Sequence, residues 1–427
     1  MSDAADSTST ESSRRQRAYV APPDRLITVP FVTVTVSAFA FFMYIGTLLP
    51  LIPLYIEGPL DGGEFGVGVN AAVFAVAAVV ARPLLGRIAD RYGRRVIMIG
   101  GAFIASTGGF GMSQISSLGA LLGFRALTGI GEAAMFVGAA TLIADLSPRH
   151  RRAEGASYFS VAVFTGLGVG PVFGEWLLDD TQFERTFVAA GCFAIAAGLI
   201  ALFVPSRVVS PDAQTGDDVV EPDAPPRRGI GKYVHPAAVF PGTVLALGVG
   251  GLTSFFLFIP DFSRTVGLGS SGGLFLVYSV VSVLIRIFGA TLPERLGPRR
   301  AVTMALGFFV IGLVIVGTFA TAPSLWVGAV FIGLGAAFNY PSLMALTVNR
   351  VSDADRAVAI SSFTMFFEIG SAVSGLFVGA LAQLVSERSA FFAGAAMCVV
   401  GIWVLRTKVV PLSPATDQVD YIAPGAA

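Results

Sequence analysis

Long apolar segments alternate with short polar turns along most of the chain. Twelve of these segments are close to or above the ~20 residues that an α-helix needs to cross the hydrocarbon core of a bilayer. The pattern therefore predicts twelve membrane-spanning helices, at about 29–55, 66–88, 96–115, 118–144, 153–177, 185–204, 237–260, 272–292, 300–320, 324–347, 357–384 and 389–406.

The two halves of the chain carry related sequences. The basic turn Gly86–Arg95, which separates the second and third apolar segments, returns in altered form as Leu292–Arg300. The same offset of 204 residues relates Arg82 to Arg286 and Gly129 to Gly333. Several matches at one offset indicate two copies of one structural unit.

Composition and charge placement support a membrane location with a defined orientation. Apolar residues make up 54% of the chain and charged residues only 13%, against ~25% charged residues in soluble domains. Among the lysines and arginines, three lie in turns on one side (Arg185, Arg264, Arg388), three lie within spans (Arg82, Arg125, Arg286), and all the others lie on the opposite side or in the tails. By the positive-inside rule, both termini are cytoplasmic and the chain is a multi-pass protein of the cell membrane.

These patterns divide the chain into five parts. We expect a disordered cytoplasmic tail over 1–26, a six-helix bundle over 27–205, a cytoplasmic linker over 206–236, a second six-helix bundle over 237–408 and a cytoplasmic tail over 409–427. The fold class is all-α.

The basic turn contains a carboxylate that a simple hairpin does not explain. Asp90 is expected at the C-terminal end of a helix, where the helix dipole disfavours negative charge. The charge of Asp90 could be compensated by arginines or by the start of the eleventh span near Ala357. By the repeat, Glu294 would face the start of the fifth span near Ala153. Such contacts would form a latch that holds the halves together at one face. The residues assigned to this conformational latch are Gly86, Asp90, Arg91, Gly93, Arg94, Asp145, Arg152, Glu294 and Arg295.

Gly86, Asp90, Arg91, Gly93 and Arg94 match the loop signature of the major facilitator superfamily, which this chain resembles over essentially all twelve spans. The weaker second copy, with glutamate in place of aspartate, is also usual in that family. The resemblance implies two pseudo-symmetric six-helix bundles that rock about a central site and expose it to each side in turn. It also implies that the protein works as a monomer.

The fifth span carries a second family signature. Gly166, Gly170, Pro171 and Gly174 look like the antiporter motif found in drug exporters, although Glu175 replaces its final glycine. The resemblance therefore favours antiport.

Charged residues within the spans are candidates for proton coupling, because a charge at mid-bilayer costs ~2.5–3.5 kcal/mol on insertion scales. Arg125 is similar to the family's fourth-helix arginine, which is associated with proton coupling, and Glu132 lies two helical turns away on the same face. Glu368 has Phe164 as its counterpart in the first half, so the shared fold does not require its charge. The alternatives are an ion network that only packs the bundle, and pairing of Glu368 with Arg82 or Arg286, which we interpret as structural anchors.

The family lines its cavity with the first, fourth, seventh and tenth spans. Candidate substrate-binding residues in these spans are Tyr44, Phe136, Phe255, Phe256, Asn339 and Tyr340.

These observations predict a secondary transporter and exclude several other classes. There is no Walker loop, no cluster of metal-binding residues and no catalytic triad, so we expect neither an enzyme nor a cofactor. The formal net charge is zero, which argues against nucleic acid. The expected function is proton-coupled efflux of small apolar or amphiphilic compounds. The alternative is a proton-coupled uptake symporter for a sugar or organic acid, and sodium could replace protons in either case.

Overall fold

The computed structural model describes residues 19–20, 22, 25–148, 151–178, 182–206, 208–209, 235–289, 296–348, 351 and 353–409. Every predicted span corresponds to a helix. These helices are α1 (Val29–Glu57), α2 (Gly63–Tyr92), α3 (Arg94–Met112), α4 (Leu118–Leu146), α5 (Arg152–Leu177), α6 (Phe183–Ala201), α7 (Pro236–Thr265), α8 (Gly272–Phe288), α9 (Pro298–Phe319), α10 (Ala322–Val348), α11 (Asp353–Leu384) and α12 (Glu387–Thr407).

Eleven of these helices are long and apolar enough to cross a membrane. The remaining helix, α8, is apolar for most of its 17 residues, and at 1.5 Å per residue it is roughly 26 Å long, near the lower limit for a span. Helices suit this environment because their backbone N–H and C=O groups bond to one another and need no water. Apolar side chains such as Val80, Val373 and Trp403 are more than half exposed, as expected for surfaces that face lipid.

The helices form two bundles of six, each with its own apolar core. One core draws its residues from α1–α6 and the other from α7–α12. The predicted repeat is also visible in packing: a Cβ added to Gly129 would lie 2.3 Å from the Phe74 carbonyl oxygen, and one added to Gly333 would lie 2.8 Å from the Tyr278 carbonyl oxygen. These positions correspond at the repeat offset, so both halves bring the same two helices into close contact through the same glycine.

The two copies of the basic turn share an unusual backbone conformation. Gly93 has φ +93° and Gly297 has φ +78°, a region that residues with a Cβ rarely adopt. Each glycine immediately precedes the first residue of α3 or α9. The repeat therefore keeps glycine where the chain must reverse at the membrane face.

Between the halves, α2 packs against α11 and α5 against α8, with a smaller contact between α1 and α7. Because the number of spans is even, α1 begins and α12 ends on the same side of the membrane, which we call the terminal face. The opposite side, where α1 ends and α2 begins, is the distal face.

A short strand pair joins the two predicted polar segments. Tyr19–Val20 pairs in parallel with Val208–Val209, so these parts of the predicted 1–26 tail and 206–236 linker have regular structure. Most of both segments, and nearly all of the 409–427 tail, lies outside the described residues.

Candidate transport site

An ion pair joins the two halves where α2 packs against α11. Arg82 on α2 donates to Glu368 on α11, with 2.6 Å between Nη2 and Oε1. The Glu368 side chain is 8% exposed and that of Arg82 is 22% exposed. Of the two partners that the sequence offered for Glu368, the structure selects Arg82. This pair holds only while α2 and α11 stay in contact.

Glu132 on α4 belongs to the same group of charges. Its Oε2 atom is buried and has no hydrogen-bond partner among the described residues. The neighbouring charges that act on it are those of Glu368 and Arg82. Arg125, on the same helix face, is not one of these neighbours. Glu132 therefore lies near the Arg82–Glu368 pair, and Glu368 is the carboxylate that pairs with Arg82.

The equivalent contact between α5 and α8 contains a different interaction. The guanidinium carbon of Arg286 lies 4.3 Å from the centre of the Phe164 ring, and these residues are the repeat counterparts of Arg82 and Glu368. Arg286 also donates a long hydrogen bond of 3.4 Å to the Ala336 carbonyl oxygen. One of the two symmetry-related contacts is thus an ion pair and the other is a cation–π contact.

Tyr340 on α10 lies beside this group. The charges of Arg82, Glu368 and Arg286 all act on its hydroxyl, and its ring packs against Phe363 with 5.5 Å between centroids.

A cavity of about 50 Å³ lies between the halves, with Leu48, Ile52, Phe256 and Leu257 among its apolar walls. Its two strongly polar lining residues are Arg125 and Asn70. Phe256, one of the predicted substrate-binding residues, thus lines a space between the bundles, and its role in binding stays a prediction.

The other aromatic and amide candidates lie within the bundles. Tyr44 is fully buried and donates to the Ala105 carbonyl oxygen at 2.8 Å. Phe136 packs between Phe42 and Phe159, and Phe255 is fully buried against other rings. Asn339 is 5% exposed, and a Cβ added to Gly248 would lie 2.7 Å from its amide nitrogen.

The glycines of the antiporter-like segment provide close helix packing. A Cβ on Gly166 would meet Phe42, one on Gly170 would meet Thr47, and one on Gly174 would also meet Thr47, each at 2.8 Å or less. The segment thus seats α5 directly on α1, and Pro171 lies within the same helix.

The predicted latch is only partly described. Arg94 pairs with Asp145 within the first half, Arg91 lies 5.3 Å from the ring of its neighbour Tyr92, and a Cβ on Gly86 would meet nothing within 4 Å.

Glu294 and Arg295 lie outside the described residues, as do the side chains of Asp90, Ala153 and Ala357. The helical residue Arg152 is exposed. The proposed contacts between the halves at the terminal face stay a prediction.

A polar contact at the distal face was not predicted from the sequence. Glu175, at the end of α5, accepts hydrogen bonds from the backbone N–H groups of Ser271 and Gly272 at 2.9 and 2.6 Å. The Ser271 and Ser270 hydroxyls also donate to it. Glu175 therefore caps the start of α8 in the other half. The available signal was the glutamate in place of the motif's last glycine, which the sequence alone could not pair with a partner.

The comparisons with known proteins agree with this architecture. The sequence model of the family described as the Major Facilitator Superfamily matches residues 34–322 and 269–421. An uncharacterised MFS-type transporter of Salmonella typhimurium is 24% identical over 87% of this chain and 95% of its own length. The quinolone resistance protein NorA of Staphylococcus aureus is 25% identical over 57% of this chain and 64% of its own length.

The crystal structure of the human organic anion transporter MFSD10 (TETRAN) superimposes with a TM-score of 0.66 and 20% identity, covering 90% of this chain and 100% of that one. At that identity the likeness shows the fold alone. Its agreement with the twelve-helix architecture, together with the match over most of the chain, confirms the family that the basic turn predicted. The chain is a membrane transporter of the Major Facilitator Superfamily, and not an enzyme.

Proposed function

We propose that this transporter exports small apolar or amphiphilic compounds in exchange for protons, by alternating access. The observation that carries the proposal is the Arg82–Glu368 ion pair across the interface between the halves, with the buried and unpaired carboxylate of Glu132 near it. Both termini would be cytoplasmic, in the cell membrane, and the unit would be a monomer.

The group of Arg82, Glu132 and Glu368 offers a way to couple protonation to the relative motion of the two halves. With both carboxylates ionised, the group of three carries one excess negative charge in a medium where charge is costly. Uptake of one proton removes that excess. When α2 and α11 separate, Glu368 loses Arg82 and becomes the carboxylate that needs a proton. Proton binding and opening of the interface would therefore depend on each other.

The choice of efflux rests on the antiporter-like segment and on the relatives. Its glycines allow α5 to lie directly on α1, and the quinolone resistance protein NorA is similar over part of the chain. The cavity walls are mainly apolar, which suits compounds that partition into lipid.

The test uses everted vesicles with a respiration-driven proton gradient and a fluorescent pH probe. Lipophilic dyes should collapse the gradient when the wild type is present. Glu132→Gln and Glu368→Gln should abolish this response, because neither amide can carry a proton through the cycle. The matched control is Glu184→Gln, which changes an exposed glutamate at the distal face and should respond like the wild type.

Three results would contradict the proposal. Full dye-driven proton movement in Glu132→Gln and in Glu368→Gln would show that these carboxylates do not carry the proton. A gradient that responds only to sugars or to hydrophilic organic acids would favour the alternative, an uptake symporter. A response that requires sodium in place of a proton gradient would identify sodium as the coupling ion.

A further inference from the structure

Arg125 and Asn70 form a polar end to the otherwise apolar cavity between the halves. The cavity lies between α1, α2, α4 and α7, and its volume is about 50 Å³. A single water occupies about 10–15 Å³ on this measure, so the space holds a few waters or one small polar group. A bulky compound could place only one end of itself here.

Arg125 has no charged partner in the part of the chain that the structure describes. Its Nε atom is buried without a hydrogen-bond partner. One face of the guanidinium is covered by Phe74, with 4.6 Å between the guanidinium carbon and the ring centre. Stacking of this kind leaves the N–H groups at the edge available, and that edge matches a carboxylate with two parallel hydrogen bonds.

Asn70 adds a second polar side chain to the same cavity. It is 3% exposed, and its Oδ1 atom has no hydrogen-bond partner among the described residues. This oxygen is an acceptor, so it is suited to a donor group or a water in the cavity and not to an anion. The anion-binding group of the cavity is therefore Arg125.

The contacts of the three arginines within the predicted spans differ in a way that points to Arg125. The ion pair with Glu368 neutralises Arg82, and Phe164 covers Arg286, which lies in the last turn of α8. Arg125 faces a cavity, which is where a substrate charge would compensate it.

We propose that Arg125 binds the anionic end of the substrate in this cavity, and that the transported compounds are amphiphilic carboxylates. This inference rests on the proposed function and narrows its substrate class. It assigns Arg125 to the cargo and leaves proton exchange to Glu132 and Glu368.

The test compares three ligands of one skeleton: 4-phenylbutyrate, 4-phenylbutanol and 4-phenylbutylammonium. Purified full-length protein in detergent is titrated with each, and binding is measured by calorimetry and by the rise in unfolding temperature. The carboxylate should bind at least about tenfold more tightly than the alcohol, and the ammonium should bind more weakly than either, because a charged hydrogen-bonded contact is worth about tenfold or more.

Variants locate the effect. Arg125→Gln should reduce phenylbutyrate binding to that of the alcohol, while Arg125→Lys should keep part of the preference because it retains charge without the planar guanidinium. Arg185→Gln, at an exposed position on the distal face, is the matched control and should bind like the wild type.

The alcohol or the ammonium binding as tightly as the carboxylate in the wild type would overturn the inference without any variant. Undiminished carboxylate binding in folded Arg125→Gln, checked by size-exclusion chromatography, would also overturn it. Loss of binding in Arg286→Gln together with full binding in Arg125→Gln would place the anion elsewhere. A neutral lipophilic dye that still collapses the proton gradient would show that proton-coupled export stands even if this inference fails.

Discussion

Replacing Glu175 by glutamine should favour opening of the distal face. In the structure this carboxylate accepts hydrogen bonds from two backbone N–H groups and two hydroxyl groups at the start of α8. Because Glu175 belongs to α5 and Ser271 and Gly272 belong to the other half, these bonds exist only when the distal face is closed. They stabilise one conformation of the transport cycle relative to the other.

The expected size of the effect follows from the geometry. Hydrogen bonds to a charged group are worth about 1.5–3 kcal/mol each when buried and less when exposed, and a carboxylate at a helix N-terminus gains a further ~0.3–1 kcal/mol from the dipole. Glu175 is half-buried, and glutamine keeps one acceptor oxygen. We therefore expect a loss of about 1–2 kcal/mol, which shifts the equilibrium between closed and open by about 5–30-fold.

The assay is a distance measurement between two spin labels at the distal face. Cys192 and Cys398 are first replaced by serine, and labels are placed at the exposed positions Arg185 and Arg388, one in each half. Glu175→Gln should enlarge the fraction with long distances, and Glu175→Asp, which keeps the charge on a shorter side chain, should enlarge it less. Identical distance distributions for the wild type and Glu175→Gln would refute the reasoning.

Two further substitutions test the packing between and within the halves. A Cβ on Gly68 would lie 2.3 Å from the Gly375 carbonyl oxygen, so Gly68→Val should hold the distal face open in the same spin-label assay. The control is Gly100→Val, where a Cβ meets nothing within 4 Å. A closed distal face in Gly68→Val would contradict the close approach of α2 and α11. Tyr44→Phe removes the hydrogen bond to the Ala105 carbonyl oxygen and should lower the free energy of unfolding by about 1 kcal/mol. The half-saturation concentration for dye export should stay the same. A raised half-saturation concentration at an unchanged unfolding temperature would instead show that Tyr44 contacts the substrate.

The placement of the substrate candidates shows what residue type and span number cannot decide. The first, fourth, seventh and tenth spans supply the cavity in the family, yet Tyr44 and Phe255 are fully buried inside their own bundles. Phe256, one position further along α7, reaches the cavity. Neighbouring positions on a helix differ in direction by about 100°, so the rotation of each helix against its neighbours determines which aromatic ring meets open space.

The sequence likewise did not identify the interaction partners of most charged residues in the spans. The spacing of Arg125 and Glu132 predicts a shared helix face, but it does not show that Glu132 interacts with Arg82 and Glu368 while Arg125 faces a cavity. Glu175 was visible only as a departure from a motif. Its hydrogen bonds to the start of α8 depend on the contact of two halves that are far apart in the chain.

The sequence by itself determined the twelve spans, the twofold repeat and the family. These follow from local properties: a bilayer sets the length of each apolar segment, and helices satisfy their own backbone there. The repeat offset is even reproduced in detail, since Gly129 and Gly333 make equivalent contacts. The sequence also showed that Glu368 and Phe164 differ at equivalent positions, but only the tertiary structure decided which residues they contact across the interface. The Arg82–Glu368 ion pair and the Arg286–Phe164 ring contact occupy equivalent places, and that difference arises because contacts between halves join residues that no local pattern links.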